Sequence, residues 1–190
     1  MSTDVKVHEE AFDIVRETSG EVLSGVLTWS SQQPKLGPIT VWVHGTLSEA
    51  THNFTNELAQ RLAKEFGVRS YRYNSRFHAT EKEPHHRYRF SGFEDDIDDM
   101  RNVVRTLTRE GFEVWGLVGH SRGANDALIY ASRYHTSGIQ GSSSLGTSRS
   151  MDSIVQLAAQ LDSEGDSNLL IDAGKLAVVR CFCLQYHLTN

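Results

Sequence analysis

The chain has 190 residues, 38% of them hydrophobic, which is enough for one soluble globular domain, residues 1–190, with a substantial core. Its net charge is −5 and its basic residues are scattered, so neither nucleic acid nor an acidic membrane surface is an expected partner. Residues Met1 to His8 hold no apolar run, and no apolar segment reaches bilayer-spanning length. A cytoplasmic protein without a signal peptide or membrane span is therefore expected. The two cysteines, Cys181 and Cys183, have one residue between them, poor disulfide geometry, and read as thiols of a reducing compartment.

In chain order, Ala11 to Arg16 and Val22 to Trp29 alternate apolar with polar around Thr18-Ser19-Gly20, the pattern of a β-hairpin. Pro38 to Val43 is a denser apolar strand, as in the interior of a sheet, and runs into His44-Gly45-Thr46. Phe54, Leu58, Leu62 and Phe66 repeat every four residues and predict a helix that Gly67 ends. Val68 to Tyr73 is the next strand, followed by a polar stretch from Asn74 to Arg89 that contains His78, His85 and His86. Those histidines fit no zinc-ligand spacing and read as a solvated loop. Ser91 with Glu94 predicts a capping box, and Asp95, Asp96, Asp98 and Asp99 read as a charged first helical turn. Phe93, Ile97, Met100, Val104 and Leu107 form the expected buried face, and Gly111 the stop.

Val114 to Val118 then leads into Gly119-His120-Ser121-Arg122-Gly123, a G-x-S-x-G pentapeptide, with Ala124, Ala127, Leu128 and Ala131 following at helical spacing to about Tyr134. A serine between a buried strand and a helix is held on a sharp turn with its hydroxyl pushed out of the sheet, and small residues on either side let the chains pass. The order hairpin, strand, helix, strand, helix, strand, helix predicts an α/β fold: a mostly parallel sheet with an N-terminal antiparallel hairpin, flanked by helices. Ligands in such sheets bind beyond the carboxyl ends of the strands, where both Thr46 and Ser121 fall.

The pairing of Val41-Trp42-Val43-His44-Gly45-Thr46 with Gly119 to Gly123 resembles the α/β-hydrolase superfamily. The branch it looks most like is that of serine aminopeptidases and monoacylglycerol-lipase-like esterases. His52-Asn53-Phe54 and the run Phe93-Glu94-Asp95-Asp96 through Val104 are similar to that branch too. The resemblance covers about residues 10 to 134, a recognisable core in 1–134, with 135–190 a divergent tail. It implies Ser121 as nucleophile and the backbone N–H groups of Thr46 and Arg122 as an oxyanion hole. The Arg122 side chain is expected on the solvent side, His44 in a structural role, and His120 packed under the turn. An ester, thioester or small amide would be cleaved through an acyl-serine intermediate, with no metal or organic cofactor. Where relatives carry an Arg-Gly-x-Gly-type turn, this chain has Asn74-Ser75-Arg76-Phe77-His78.

In the superfamily the triad acid and histidine follow the serine. Residues 135–150 are mostly Ser, Gly and Thr; Met151 to Leu161 reads as a helix, Leu169-Leu170-Ile171 as a short strand and Leu176 to Leu184 as a longer one. A strand–helix–strand crossover takes roughly 30 residues or more, so an incomplete C-terminal sheet is expected. Asp172 and His187 are the candidates in the right order for acid and base. Three readings follow: a serine hydrolase; a truncated, catalytically inactive remnant with at most a binding role; or an interaction module whose unpaired sheet edge recruits another chain. If the tail adds no strand, Val114 to Val118 becomes a sheet edge open to self-association.

Overall fold

The computed structural model describes residues 5–77 and 92–134, and the backbone of one strand at 176–180. The elements are β1 (Val7–Ala11), β2 (Ile14–Val15), β3 (Val22–Leu23), β4 (Gly25–Ser30), β5 (Pro38–Val43), α1 (Asn53–Phe66), β6 (Arg69–Tyr73), α2 (Glu94–Arg109), β7 (Glu113–His120), α3 (Arg122–Tyr134) and β8 (Leu176–Arg180). Six strands form one sheet in the order β1-β4-β6-β5-β7-β8. Its centre, β6-β5-β7, is parallel, while β1 with β4, β4 with β6, and β7 with β8 run antiparallel.

The N-terminal hairpin is broken in two. Its outer arms β1 and β4 join the main sheet, whereas Ile14–Val15 and Val22–Leu23 pair apart from it. The first arm therefore starts at Val7, before the expected Ala11, because His8, Glu9 and Glu10 face the half-solvated edge and carry no apolar signal.

Side-chain alternation along β5 explains the layers. Ile39, Val41 and Val43 point into a core shared with Ile97, Met100, Val103 and Leu107 of α2 and Ala127 and Tyr130 of α3. Trp42 points to the other face, with Phe54, Leu58 and Leu62 of α1 and Trp115 and Val118 of β7. Each fully buried side chain of this size contributes about 1.5–3 kcal/mol. The Trp42 indole N–H donates to Thr40 Oγ1 at 2.8 Å, and Thr40 donates to the Arg69 carbonyl at 2.9 Å, so this apolar face leaves the indole satisfied. Arg72, 1% exposed, is held by Glu9 and Asn56 at 2.5 Å each and Thr28 at 3.1 Å.

Gly67 caps α1 in the left-handed conformation (φ 65°), as its place after the apolar period predicts. Phe66, expected in that buried face, lies on the last turn beyond the sheet and is exposed. α2 begins at Glu94 with Phe93 as its N-cap and no side-chain cap bond, and Ser91 of the expected capping box lies outside the described residues. On the buried face of α2 Val103 joins Ile97, Met100 and Leu107, the expected Phe93 and Val104 pack half-buried against the same core, and Asp99 is buried on the same helix. On α3 the buried residues are Gly123, Asp126, Ala127 and Tyr130, and Leu128 is 53% exposed. The edge expected at Val114 to Val118 if the tail added no strand does not arise, because the tail supplies β8. β8 pairs with β7 from Gly116↔Arg180 to His120↔Leu176 and covers it.

The expected helix at Met151 to Leu161, the strand at Leu169 to Ile171, Cys181, Cys183, and the histidines 78, 85 and 86 lie outside the described residues.

Candidate active site

Ser121 is the single residue between β7 and α3, exposed, with φ 54°. Few non-glycine residues hold a left-handed backbone, which costs of order 1–3 kcal/mol and persists only where the surroundings enforce it. Two glycines do so here. A Cβ on Gly119 would lie 2.1 Å from the Gly123 carbonyl oxygen, and one on Gly123 would lie 2.3 Å from the Val43 oxygen. Any side chain at either place would drive the first turn of α3 off the ends of β5 and β7. The Ser121 carbonyl accepts the Ala124 N–H at 3.0 Å, which starts the helix immediately after the bend.

The turn after β5 lies against this bend. A Cβ on Gly45 would meet Ser121 Cβ at 3.0 Å and His120 Nδ1 at 3.1 Å, so residues 45–46 run beside the serine. Leu47 also has a left-handed backbone (φ 56°), which folds this turn back. Both nitrogens of His44 are engaged: Nδ1 with the Gly45 oxygen at 2.8 Å, and Nε2 as acceptor of the Ser75 N–H at 3.1 Å. Those contacts fix the Nδ1–H tautomer and make His44 a brace between the two loops, as its expected structural role implies. The buried His120 ring lies 6.1 Å from that of Phe54, under the bend.

A polar cleft of about 20 Å³ opens at this place, lined by Gly45, Thr46, Ser75, Asp96, Arg122 and Asp126, with Phe77 among its apolar walls. The volume is enough for one small polar group. Arg122 does not point to solvent as expected. Its Nε and Nη2 donate to Asp96 Oδ2 at 2.9 and 2.5 Å, Nη2 also reaches the Gly92 carbonyl, and the guanidinium lies 4.8 Å from the Phe93 ring centre. This fork clamps the start of α3 to the start of α2.

Asp126 is 2% exposed, and its Oδ1 has no hydrogen-bond partner among the described residues. Burial, then repulsion from Asp96, push its carboxyl up to about 7, with Arg122 offsetting part of the rise. Burial also raises Asp96, against the pull of Arg122. The buried Tyr73 hydroxyl is held neutral by burial and by the neighbouring charges of Asp99, Asp126 and Asp96.

The acidic run at the start of α2 is more than a charged first turn. Asp99 is completely buried and accepts from Arg76 N at 2.9 Å and Arg76 Nε at 2.7 Å, with Arg16 Nε at 3.2 Å. Asp98 takes Arg76 Nη2 at 2.8 Å and also binds Arg16. Burial pushes Asp99 up to about 6 despite these partners. This network ties the loop after β6 to α2, and so sets where Ser75 and Phe77 meet the cleft.

Of the residues predicted for the site, Ser121, Thr46 and Arg122 converge at the carboxyl ends of β5 and β7. Asp172 and His187 lie outside the described residues. Sequence reasoning missed Asp126. The available signal was an acidic residue at helical spacing from Gly123, Ala127 and Tyr130, inside a buried stripe.

A family model described as alpha/beta hydrolase fold matches residues 40–176, which contain the bend, the turn after β5 and the cleft. Among solved structures, Est1E from Butyrivibrio proteoclasticus, with ferulic acid bound, is similar at 19% identity and TM-score 0.53, covering 66% of this chain and 48% of that one. A protein of Klebsiella pneumoniae described as a dienelactone hydrolase is similar at 19% identity and TM-score 0.52, covering 67% of this chain and 55% of that one. The chain spans about half the length of these two structures. No curated protein sequence matches it. No helix among the described residues is long and apolar enough to cross a membrane. With its strand–serine–helix bend inside the matched span, the chain belongs to the α/β-hydrolase fold family.

Proposed function

We propose that this chain is a serine hydrolase that cleaves a carboxylic ester, thioester or small amide through an acyl-Ser121 intermediate. The observation that carries the reading is Ser121 at φ 54° between β7 and α3, with Gly45 packed against it. In this reading Ser121 Oγ attacks the substrate carbonyl, and negative charge develops on the carbonyl oxygen. The Thr46 and Arg122 amides donate to that oxygen; losing one such donor typically costs about 2.7–4 kcal/mol of barrier. The Arg122 clamp on Asp96 holds its amide in place without any motion at the moment of reaction.

A serine hydroxyl needs a base, itself oriented by a carboxylate. His187 and Asp172 follow Ser121 in the required order and are proposed for these roles. The first carries the serine proton to the leaving alcohol or amine, and the second orients the imidazole. Water then attacks the acyl carbonyl, and the same donors stabilise the second oxyanion.

A fluorophosphonate probe tests the reading. Mass addition at Ser121, lost in Ser121→Ala and in His187→Ala, is the expected result. A folded protein whose Ser121 never labels overturns catalysis and leaves a core limited to binding.

A further inference from the structure

We propose that Asn74 is a positioning residue for the reaction at Ser121: its carboxamide straps the far end of the turn after β5 and so aims the Thr46 N–H at the developing oxyanion. This rests on the hydrolase reading and adds to it a residue that does not line the cleft.

The turn that carries Thr46 begins and ends in buried residues, His44 and Gly45 on one side and Ala50 on the other. Between them Thr46 and Leu47 are exposed, so packing in the core does not fix their backbone. Leu47 is also held at φ 56°, a left-handed conformation that persists only where the surroundings enforce it. The near end of the turn is held by Gly45 against Ser121 and by His44 against Ser75. The far end is held by Asn74, whose Oδ1 accepts the Ala50 N–H at 2.7 Å.

Asn74 is itself fixed in place. Its backbone N–H donates to the Ser24 carbonyl at 2.8 Å, and its Nδ2 donates to Ser24 Oγ at 3.0 Å. A backbone N–H only donates, so Ala50 sets the orientation of the carboxamide, oxygen toward the turn and nitrogen toward Ser24. Two residues on, Arg76 N and Nε donate to the buried Asp99 at 2.9 and 2.7 Å. Asn74 and Ser75 therefore grip both ends of the turn, Ala50 and His44, from one dipeptide anchored between Ser24 and Asp99.

An oxyanion donor works when it is already in place as charge develops, and a misplacement of about 1 Å can cost on the order of a hundredfold in rate. Releasing Ala50 lets the exposed turn relax from the left-handed backbone at Leu47, and the Thr46 amide turns with it. Because Asn74 does not line the cleft, its loss slows the chemical step and leaves probe or substrate binding unchanged.

The test separates the acceptor from the bulk of the side chain. Asn74→Leu and Asn74→Ala remove the acceptor, the first at nearly the same shape. Asn74→Asp keeps one oxygen for the Ala50 N–H and another for the Ser24 hydroxyl. Fluorophosphonate labelling of Ser121 in the full chain is followed against probe concentration, giving a saturating rate and a half-saturating concentration. Both apolar variants should lose about tenfold or more in the saturating rate, with the half-saturating concentration unchanged within about threefold. Asn74→Asp should restore the rate to within about threefold of wild type. Backbone amide relaxation by NMR should show Thr46 and Leu47 as rigid as the sheet in wild type and Asn74→Asp, and mobile in both apolar variants. An unchanged rate, a loss that falls on the half-saturating concentration, an Asp variant as slow as the Leu one, or failure of both apolar variants to fold would each overturn the positioning role. If wild-type Ser121 never labels, the hydrolase reading falls, and the relaxation comparison alone decides whether Asn74 holds the turn.

Discussion

Replacing Asp126 by Asn removes a charge from the cleft while keeping the side chain's shape, and its effect on stability depends on pH in a way that can be worked out. The folded carboxyl titrates near 7 against an ordinary value of 3.8, chiefly because burial penalises the ionised form. Between those values the folded protein holds a proton that the unfolded chain has lost, so stability falls as pH rises through this window. The full excursion is of order 4 kcal/mol, and about 3 kcal/mol of it falls between pH 4.5 and 8. Asn cannot ionise, so the variant escapes this loss, while the titrations of groups that do not face Asp126 cancel in the comparison. Urea denaturation of both proteins at the two pH values should show the Asn variant gaining about 3 kcal/mol relative to wild type on going from pH 4.5 to 8. A difference that stays constant within about 0.5 kcal/mol would refute the argument, because the carboxyl would then titrate alike in folded and unfolded chains.

Other outcomes follow from the same geometry. Ser121→Gly should stabilise the fold by about 1 kcal/mol in thermal melts while abolishing probe labelling, since glycine accepts the left-handed backbone without strain. A loss of stability would mean the bend is unstrained. Gly123→Ala should cost about 3 kcal/mol or prevent folding, because its Cβ would sit 2.3 Å from the Val43 oxygen, a backbone atom with no rotamer to yield. Circular dichroism and denaturant midpoints read it. Arg76→Met should destabilise by about 3–5 kcal/mol at pH 8, where Asp99 is left charged, and by clearly less at pH 5, where its carboxyl, near 6 when folded, takes up a proton. An equal loss at both pH values would show that Asp99 is not the group stranded.

Local signals specified most of the scaffold. The four-residue period of Phe54, Leu58 and Leu62, the αL stop at Gly67, and the unbroken apolar run of β5 report burial in the residues themselves, so α1 and β5 were legible without coordinates. The bend at Ser121 was legible for a related reason: its glycines at 119 and 123 sit where a side chain would strike backbone, a requirement written in the pentapeptide. What stayed hidden depends on partners distant in sequence. Ser91 reads as a cap from its neighbours alone, but α2 begins at Glu94, with Arg122 clamping Asp96 and the Gly92 carbonyl from the start of α3. Arg122 reads as a surface residue until Asp96, 26 positions earlier, is placed beside it. Asp99 reads as part of a solvated acidic run until Arg76 and Arg16 converge on it. The pairing of β8 with β7 joins segments with the whole of α3 and the tail between them. Sequence carries the preference of each residue for burial or for a backbone angle, because these are properties of one side chain and its near neighbours. Which charge meets which, and which carboxylate is left without a partner among the described residues, is decided only when the sheet brings remote segments together.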